Sequence, residues 1–374
     1  MRPWPLLASG IAVAAVAAPA VSAPPPVTAR AYILVNPATE EVLVERAADR
    51  KLPMASTTKM MTAIVTLERT RLRDVAVVPR VADALGGSTS GLVAGERLSI
   101  RTLLTGLMVG SGNDASVALA AHVGRGSQAR FVRLMNAEAA QMGLTRTRFA
   151  NPHGLDQAGH FSTVRELVAL GQRTLQHPFL RQVVAKRSVT IPGPGGRGSR
   201  RLQSENDLLS IDRDADGIKT GHTSGAGYSL VAHARRPATG VELYVALIGS
   251  SSRSRRARDT KRLLDWGFAQ YVRVVPLRAA ATVVSVPVRD RPGVSALLTV
   301  DAELAATIKI GRKLTRTIVA PAELVGPVEA GTAVGEVRIM DGARVIGVRK
   351  LIVATAIHGP SIAERIRSGI GRLV

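Results

Sequence analysis

Asp216-Gly217-Ile218-Lys219-Thr220-Gly221-His222-Thr223 runs into Gly225-Ala226-Gly227-Tyr228-Ser229-Leu230-Val231-Ala232-His233-Ala234, and Val241-Glu242-Leu243-Tyr244-Val245-Ala246-Leu247-Ile248 follows shortly after. Both runs are rich in β-formers and are parted by Gly- and Pro-containing turns, so they read as adjacent antiparallel strands. Lys219 and Thr220 put a cation and a hydroxyl on the first of them, and Gly221 leaves room for another backbone to come close. Taken alone, Lys-Thr-Gly also fits an ordinary edge-strand lysine.

Upstream, Leu52-Pro53-Met54-Ala55-Ser56-Thr57-Thr58-Lys59-Met60-Met61-Thr62-Ala63-Ile64-Val65-Thr66-Leu67 carries apolar residues at helical spacing, with Pro53 and Ser56 marking the start. The reading puts Ser56 in the first turn, with Lys59 three residues on and on the same face. A serine hydroxyl is a poor nucleophile at neutral pH. A lysine kept neutral by burial can take its proton, and N–H groups at a helix start can receive an oxyanion. The same tetrapeptide also fits a helix cap followed by a solvated lysine.

Between these stretches, the helical run Leu98 to Val109 stops at Gly110, and Ser111-Gly112-Asn113 leads into a second helix from Asp114. A short helix-to-helix turn can hold a hydroxyl and an amide outward, although a capping glycine beside an Asn cap has the same pattern. Ala31 to Val35 and Glu41 to Glu45 form a strand, turn, strand unit ahead of Ser56. His153, Asp156 and His160 share a loop but match no common metal-ligand spacing, so they read as structural.

The order Ser-x-x-Lys, Ser-x-Asn, Lys-Thr-Gly resembles the signature of the penicillin-binding protein and serine β-lactamase superfamily. From about residue 31 to 268 the chain is similar to the low-molecular-weight D-alanyl-D-alanine carboxypeptidases. Ser111-Gly112-Asn113-Asp114-Ala115, His153-Gly154-Leu155-Asp156 and Leu263-Leu264-Asp265-Trp266-Gly267-Phe268 carry that resemblance beside the three motifs. It implies an α/β (α+β) catalytic domain, β-lactamase/transpeptidase-like, with helices on an antiparallel sheet. It also implies roles. Ser56 attacks the carbonyl between the last two D-alanines of a peptidoglycan stem peptide, and Lys59 accepts its proton. Ser111 relays protons, Asn113 holds the substrate amide, and the backbone N–H groups of Ser56 and His222 form the oxyanion hole. Lys219, Thr220, Gly221, Thr223 and Arg256 bind substrate, with Arg256 chosen among Arg253, Arg255, Arg256 and Arg258 to pair the terminal carboxylate. β-Lactams are the implied inhibitors, and no metal or organic cofactor is implied. A D,D-endopeptidase, a β-lactamase or a non-catalytic envelope scaffold are the alternatives on the same fold.

The ends of the chain speak to location. Residues 1–23 have one early arginine, an Ala/Val/Leu-rich run and small residues at Ala20 to Ala23, the order of a secretory signal peptide. There is no cysteine, which leaves an exported fold to its hydrophobic core. Fifty Lys plus Arg against 28 Asp plus Glu give a net charge of +22, which favours anionic partners. Aromatics make up only 3% of the chain, too few for stacking on bases, so nucleic acid is not expected. The catalytic domain is expected over 28–270 and a small all-β domain over 276–358, with an Asp341-Gly342 hairpin signal. Residues 361–374 place Ile362, Ile366, Ile370 and Leu373 on one helical face among arginines, as a basic amphipathic tail for an anionic membrane surface. A periplasmic or envelope location follows.

Overall fold

The computed structural model describes residues 23–82, 85–289, 291–359 and 361, together with the backbone of a strand β1 (Leu6–Ala12). The expected membrane-binding tail beyond Ser361, and the expected leader apart from Leu6–Ala12 and Ala23, lie outside the described residues. Two compact units divide the chain, Ser22–Ala269 and a second built on Gln270–Val374.

The first unit is organised by a five-stranded antiparallel sheet. Strands β2 (Ala31–Asn36) and β3 (Glu41–Arg46) form the expected hairpin. A tight 3-10 turn over Ala55–Thr58 then leads into α1 (Lys59–Leu67). Short strands β4 (Val75–Val77) and β5 (Arg97–Ser99) pair ahead of α2 (Ile100–Val109) and α3 (Asn113–Val123). Helices α4 (Gln128–Gln141), α5 (Val164–Gln176) and α6 (Pro178–Val184) follow. The hydroxyl of Ser99 caps α2, that of Ser127 caps α4 and that of Thr163 caps α5, each accepting from a backbone N–H three residues on.

The breaker-rich stretch after α6 is a hairpin. Strands β6 (Ser188–Pro192) and β7 (Ser199–Gln203) enclose a turn at Pro194–Gly196. One turn of helix, α7 (Leu208–Ile211), precedes β8 (Ala215–Thr223), β9 (Gly227–Arg236) and β10 (Val241–Ser250). The strand order is β3-β2-β10-β9-β8, so the strand bearing Lys219 is an edge. Helix α8 (Arg253–Phe268) closes the unit.

Helices cover both faces of this sheet. Gly267 of α8 lies against Leu34 and Leu243, whereas Gly171 of α5 lies against Ile218, Val231 and Tyr244. Leu243 and Tyr244 are consecutive on β10 and point to opposite faces, which separates the two helices. Almost the whole of β9 and β10 is buried, as a strand covered on both sides requires. The larger core, around Met60, Met61, Leu103, Leu107, Leu119, Phe131 and Leu167, packs α1 to α5 together on one side.

The second unit is all β. Its six-stranded sheet runs β1, β15 (Leu314–Pro321), β16 (Ala333–Asp341), β17 (Arg344–Val353), β13 (Ser295–Val300), β12 (Thr282–Pro287), beside a pair formed by β11 (Tyr271–Leu277) and β14 (Leu304–Lys309). Leu298, Ile318, Leu324, Val337, Ile339 and Leu351 form its core. Asp341 pairs with Arg344, so Gly342 and Ala343 make the two-residue hairpin turn and Asp341 itself ends a strand. The segment Leu6–Ala12, which reads as the apolar part of an export leader, runs antiparallel to β15.

Candidate active site

The three motifs meet where the edge strand β8 passes the turn at Ser56. A Cβ added to Gly221 would lie 3.0 Å from Ser56 N and 3.2 Å from Met54 O. The backbone that comes close to Gly221 is therefore the serine turn of this chain, the physical reason for glycine there. On the other side Gly154, at φ +93°, presses on the same turn, and a Cβ on it would lie 2.1 Å from Ala55 O. Ser56 sits in that 3-10 turn rather than in the α-helix proper, which begins at Lys59.

Lys59 is fully buried. Its Nζ has three partners: Ser56 Oγ at 2.8 Å, Asn113 Oδ1 at 2.8 Å and the His153 carbonyl at 2.7 Å. Asn113 Nδ2 donates to Gly86 O at 2.7 Å, which fixes the amide orientation with Oδ1 towards the lysine. A neutral amine has two hydrogens and one lone pair. Two of the partners accept only, so they take both hydrogens, and the lone pair is left facing the Ser56 hydroxyl. Burial, together with the nearby Lys219 charge, holds Lys59 well below the usual lysine range, while Asp114 and Glu205 oppose this.

The 153–160 loop packs beside this lysine, and its histidines are held by hydrogen bonds within the protein. His160 Nδ1 accepts from Ala150 N at 3.0 Å, so its Nε2 carries the proton and donates to Thr58 Oγ1 at 2.8 Å. Burial pushes His153 and His160 down to about 4, and both are uncharged at neutral pH. Asp156 accepts from Thr223 Oγ1 at 2.7 Å and from Gly225 N at 2.9 Å, which ties the loop to the β8–β9 turn. The Thr223 hydroxyl is thus occupied within the protein.

Ser111 takes a left-handed conformation, φ +57°, while Gly110 ends α2 in the right-handed region. A non-glycine residue there costs on the order of 1 kcal/mol. The Ser111 Oγ meets Lys219 Nζ at 2.9 Å, and Lys219 also donates to Thr220 O at 3.1 Å. Burial pushes Lys219 down to about 7, with Glu205 raising it and Arg256 lowering it further.

A cavity of about 160 Å³ opens on this group, lined by Ser56, Ser111, Asn113, Glu205, Thr220, Gly221, His222, Thr223 and the Gly87-Ser88 and Gly154-Leu155 loops. The side chain of His222 is exposed and stacks on Tyr228 at 4.1 Å. Lys59 and Lys219 stand behind the wall. Arg256, 1% exposed, donates to the Glu205 carbonyl at 2.6 Å, and its Nε has no hydrogen-bond partner. Burial lowers it to about 10. Arg253 pairs instead with Asp207, and Arg255 and Arg258 are exposed.

Residues 17–251 match the D-alanyl-D-alanine carboxypeptidase family S11 of peptidases. The chain belongs to that family. The D-alanyl-D-alanine carboxypeptidase DacC of Escherichia coli is 34% identical over 348 residues, 88% of this chain and 84% of that protein. DacA of the same organism is 32% identical over 88% of this chain and 83% of its own length. Among solved structures, penicillin binding protein 5 from Haemophilus influenzae superposes with a TM-score of 0.64 at 28% identity, covering 90% of this chain and 99% of its own. The Streptomyces K15 DD-transpeptidase superposes at 0.63 with 31% identity over 66% of this chain and 100% of its own. The enzyme is a serine D-Ala-D-Ala carboxypeptidase on the β-lactamase-like α/β fold that the motifs implied.

Two contributors had no role assigned from the motifs. Asp114 accepts from Thr89 Oγ1, Ser90 N, Leu92 N and Ala115 N, and so clamps the 86–92 loop onto α3. Glu205 lines the cavity from the β7–α7 connection. The first stands in the Ser111–Ala115 stretch that carries the resemblance and in the first turn of a helix, with no role attached to it, and the second gave no signal.

Proposed function

We propose that the carboxypeptidase reaction of this enzyme runs through Ser56, on peptidoglycan stem peptides ending in D-Ala-D-Ala. Ser56 Oγ attacks the penultimate carbonyl and Lys59 takes the hydroxyl proton. The oxyanion forms between the backbone N–H groups of Ser56 and His222, where one such donor typically contributes about 3 kcal/mol. Asn113 holds the peptide amide. As the C–N bond breaks, the proton that Lys59 took passes by way of Ser111 to the departing amine of D-alanine, which leaves Lys59 neutral again. Water, deprotonated by Lys59, then attacks the Ser56 ester. The shortened peptide leaves with a new carboxylate, and the proton returns to Ser56.

Lys219, Thr220 and Arg256 receive the terminal carboxylate, with Gly221 and Thr223 lining the strand along which the peptide lies. The observation that carries this reading is the buried Lys59, whose two acceptor partners leave its lone pair for Ser56 at 2.8 Å. The same chemistry makes Ser56 the acylation site for β-lactams. No helix among the described residues is long and apolar enough to cross a membrane. Removal of a leader over residues 1–23 delivers the chain to the periplasm or cell envelope. There the tail 361–374 is the proposed contact with an anionic membrane surface, and the catalytic and β domains occupy 28–270 and 276–358.

Intact-mass measurement after incubation with benzylpenicillin tests the site. One adduct on the native enzyme, mapped to the peptide carrying Ser56 and missing from Ser56→Ala, is expected. An adduct on another residue, or one that survives in Ser56→Ala, overturns it.

A further inference from the structure

Glu205 is the acidic wall of a cavity whose deeper groups are lysine and arginine. It lies between β7 and α7, half-buried, and its backbone carbonyl accepts from Arg256. Its carboxylate has no hydrogen bond and no ion pair among the described residues. The Lys219 and Arg256 charges both feel it without touching it. A carboxylate left unpaired beside two cations is unusual, because pairing would stabilise all three.

The consequence follows from where the released residue sits, and it rests on the site reading above. With the substrate's terminal carboxylate at Lys219, Thr220 and Arg256, the residue that bears it lies next to Glu205. A second carboxylate there repels the first and attracts any cation on the same residue. We propose that Glu205 is a specificity-determining residue that makes the enzyme favour a released residue with an ammonium on its side chain, such as a D-configured diamino acid, over an uncharged one. D-Ala-D-Ala ends remain substrates, bound less tightly than the cations alone would allow.

The test compares three acyl-peptides ending in D-Ala-D-Ala, D-Ala-D-Lys and D-Ala-D-norleucine. The last matches lysine in length without its charge. For the native enzyme, kcat/KM for the D-Lys end exceeds that for D-norleucine by about three- to tenfold, as expected for one partly screened charge pair. In Glu205→Gln this ratio falls to about one, KM for D-Ala-D-Ala drops by a similar factor, and Glu205→Asp restores the preference. A reading on unmodified protein stands beside these variants, since the D-Lys preference shrinks as salt rises. A ratio near one in the native enzyme, or one that Glu205→Gln leaves unchanged, overturns the proposal. So does an equal loss on all three substrates, which marks Glu205 as support for Lys219 alone. Release of D-alanine with no selectivity refutes only the role of Glu205, whereas no release from any peptide removes the site reading and this proposal together.

Discussion

Replacing Asp114 by alanine should loosen the catalytic unit at the loop that faces Ser56. The carboxylate is 3% exposed and satisfies the N–H groups of Ser90 and Leu92, themselves 1% and 5% exposed, as well as the Thr89 hydroxyl. Alanine takes this acceptor from three buried backbone donors, Ala115 N in the first turn of α3 and the two loop donors Ser90 N and Leu92 N, of which the loop pair is counted here. Each such loss costs about 1–3 kcal/mol, so the sum is about 4 kcal/mol. For a unit of this size that corresponds to a fall in Tm of about 10 °C. Asparagine keeps one acceptor oxygen and should lose roughly half as much. The loop also holds the carbonyls of Gly86 and Ser88, which accept from Asn113 Nδ2 and Asn113 N at 2.7 and 2.8 Å. Loosening it frees Asn113, and penicillin acylation should slow along with the stability loss. Charge alone predicts the opposite sign, since Asp114 raises the Lys59 pKa and its removal makes the neutral base easier to reach. Urea unfolding followed by circular dichroism gives the stability, and fluorescent-penicillin labelling gives the acylation rate. A stability change below about 1 kcal/mol, or faster acylation, would refute the clamp.

Lys59→Arg keeps a cation that cannot give up its proton, and acylation should fall by at least about a hundredfold, read as the labelling rate at saturating penicillin; retention of the rate would remove Lys59 as the base. Gly154→Ala forces a Cβ onto the Ala55 carbonyl from a left-handed backbone, so a loss of about 3 kcal/mol and slow acylation are expected from unfolding and labelling, with native behaviour counting against the close packing. The pH profile separates the two lysines. Lys219 loses its proton near pH 7 in the free enzyme, and a bound substrate carboxylate raises that value. The alkaline fall of kcat/KM, which reports free enzyme, should therefore begin near pH 7, and that of kcat at higher pH; coincident limbs would show that the substrate carboxylate does not meet Lys219.

What the sequence made legible follows from which chemistry is carried by residue type. Ser56, Lys59, Ser111, Asn113, Lys219 and Thr220 are side chains with roles at short, recognisable spacings, and Lys59 is hydrogen-bonded to Ser56 and Asn113 as Lys219 is to Ser111. The two-sided burial of β9 and β10 shows as nearly continuous apolar runs. Backbone contributions had no such signal. The His153 carbonyl that accepts from Lys59, the left-handed Ser111 and the 3-10 turn at Ser56 are conformations imposed by distant packing. Gly221 lines the cavity and also packs on the Ser56 turn, a close approach with no sign in the sequence. Thr223 lines the cavity too, and the bond from its hydroxyl to Asp156 had no signal in the spacing. In the β unit, β14 is half-buried along most of its length and β17 mixes exposed, half-buried and buried positions, so neither shows a clean alternation.

Incubation of the purified enzyme and of Ser56→Ala with a synthetic pentapeptide ending in D-Ala-D-Ala, with free D-alanine followed over time, tests the central claim most directly. The account predicts release by the native enzyme and none above background by the folded variant. Equal release by both, or none by a native enzyme that penicillin still labels, would contradict it.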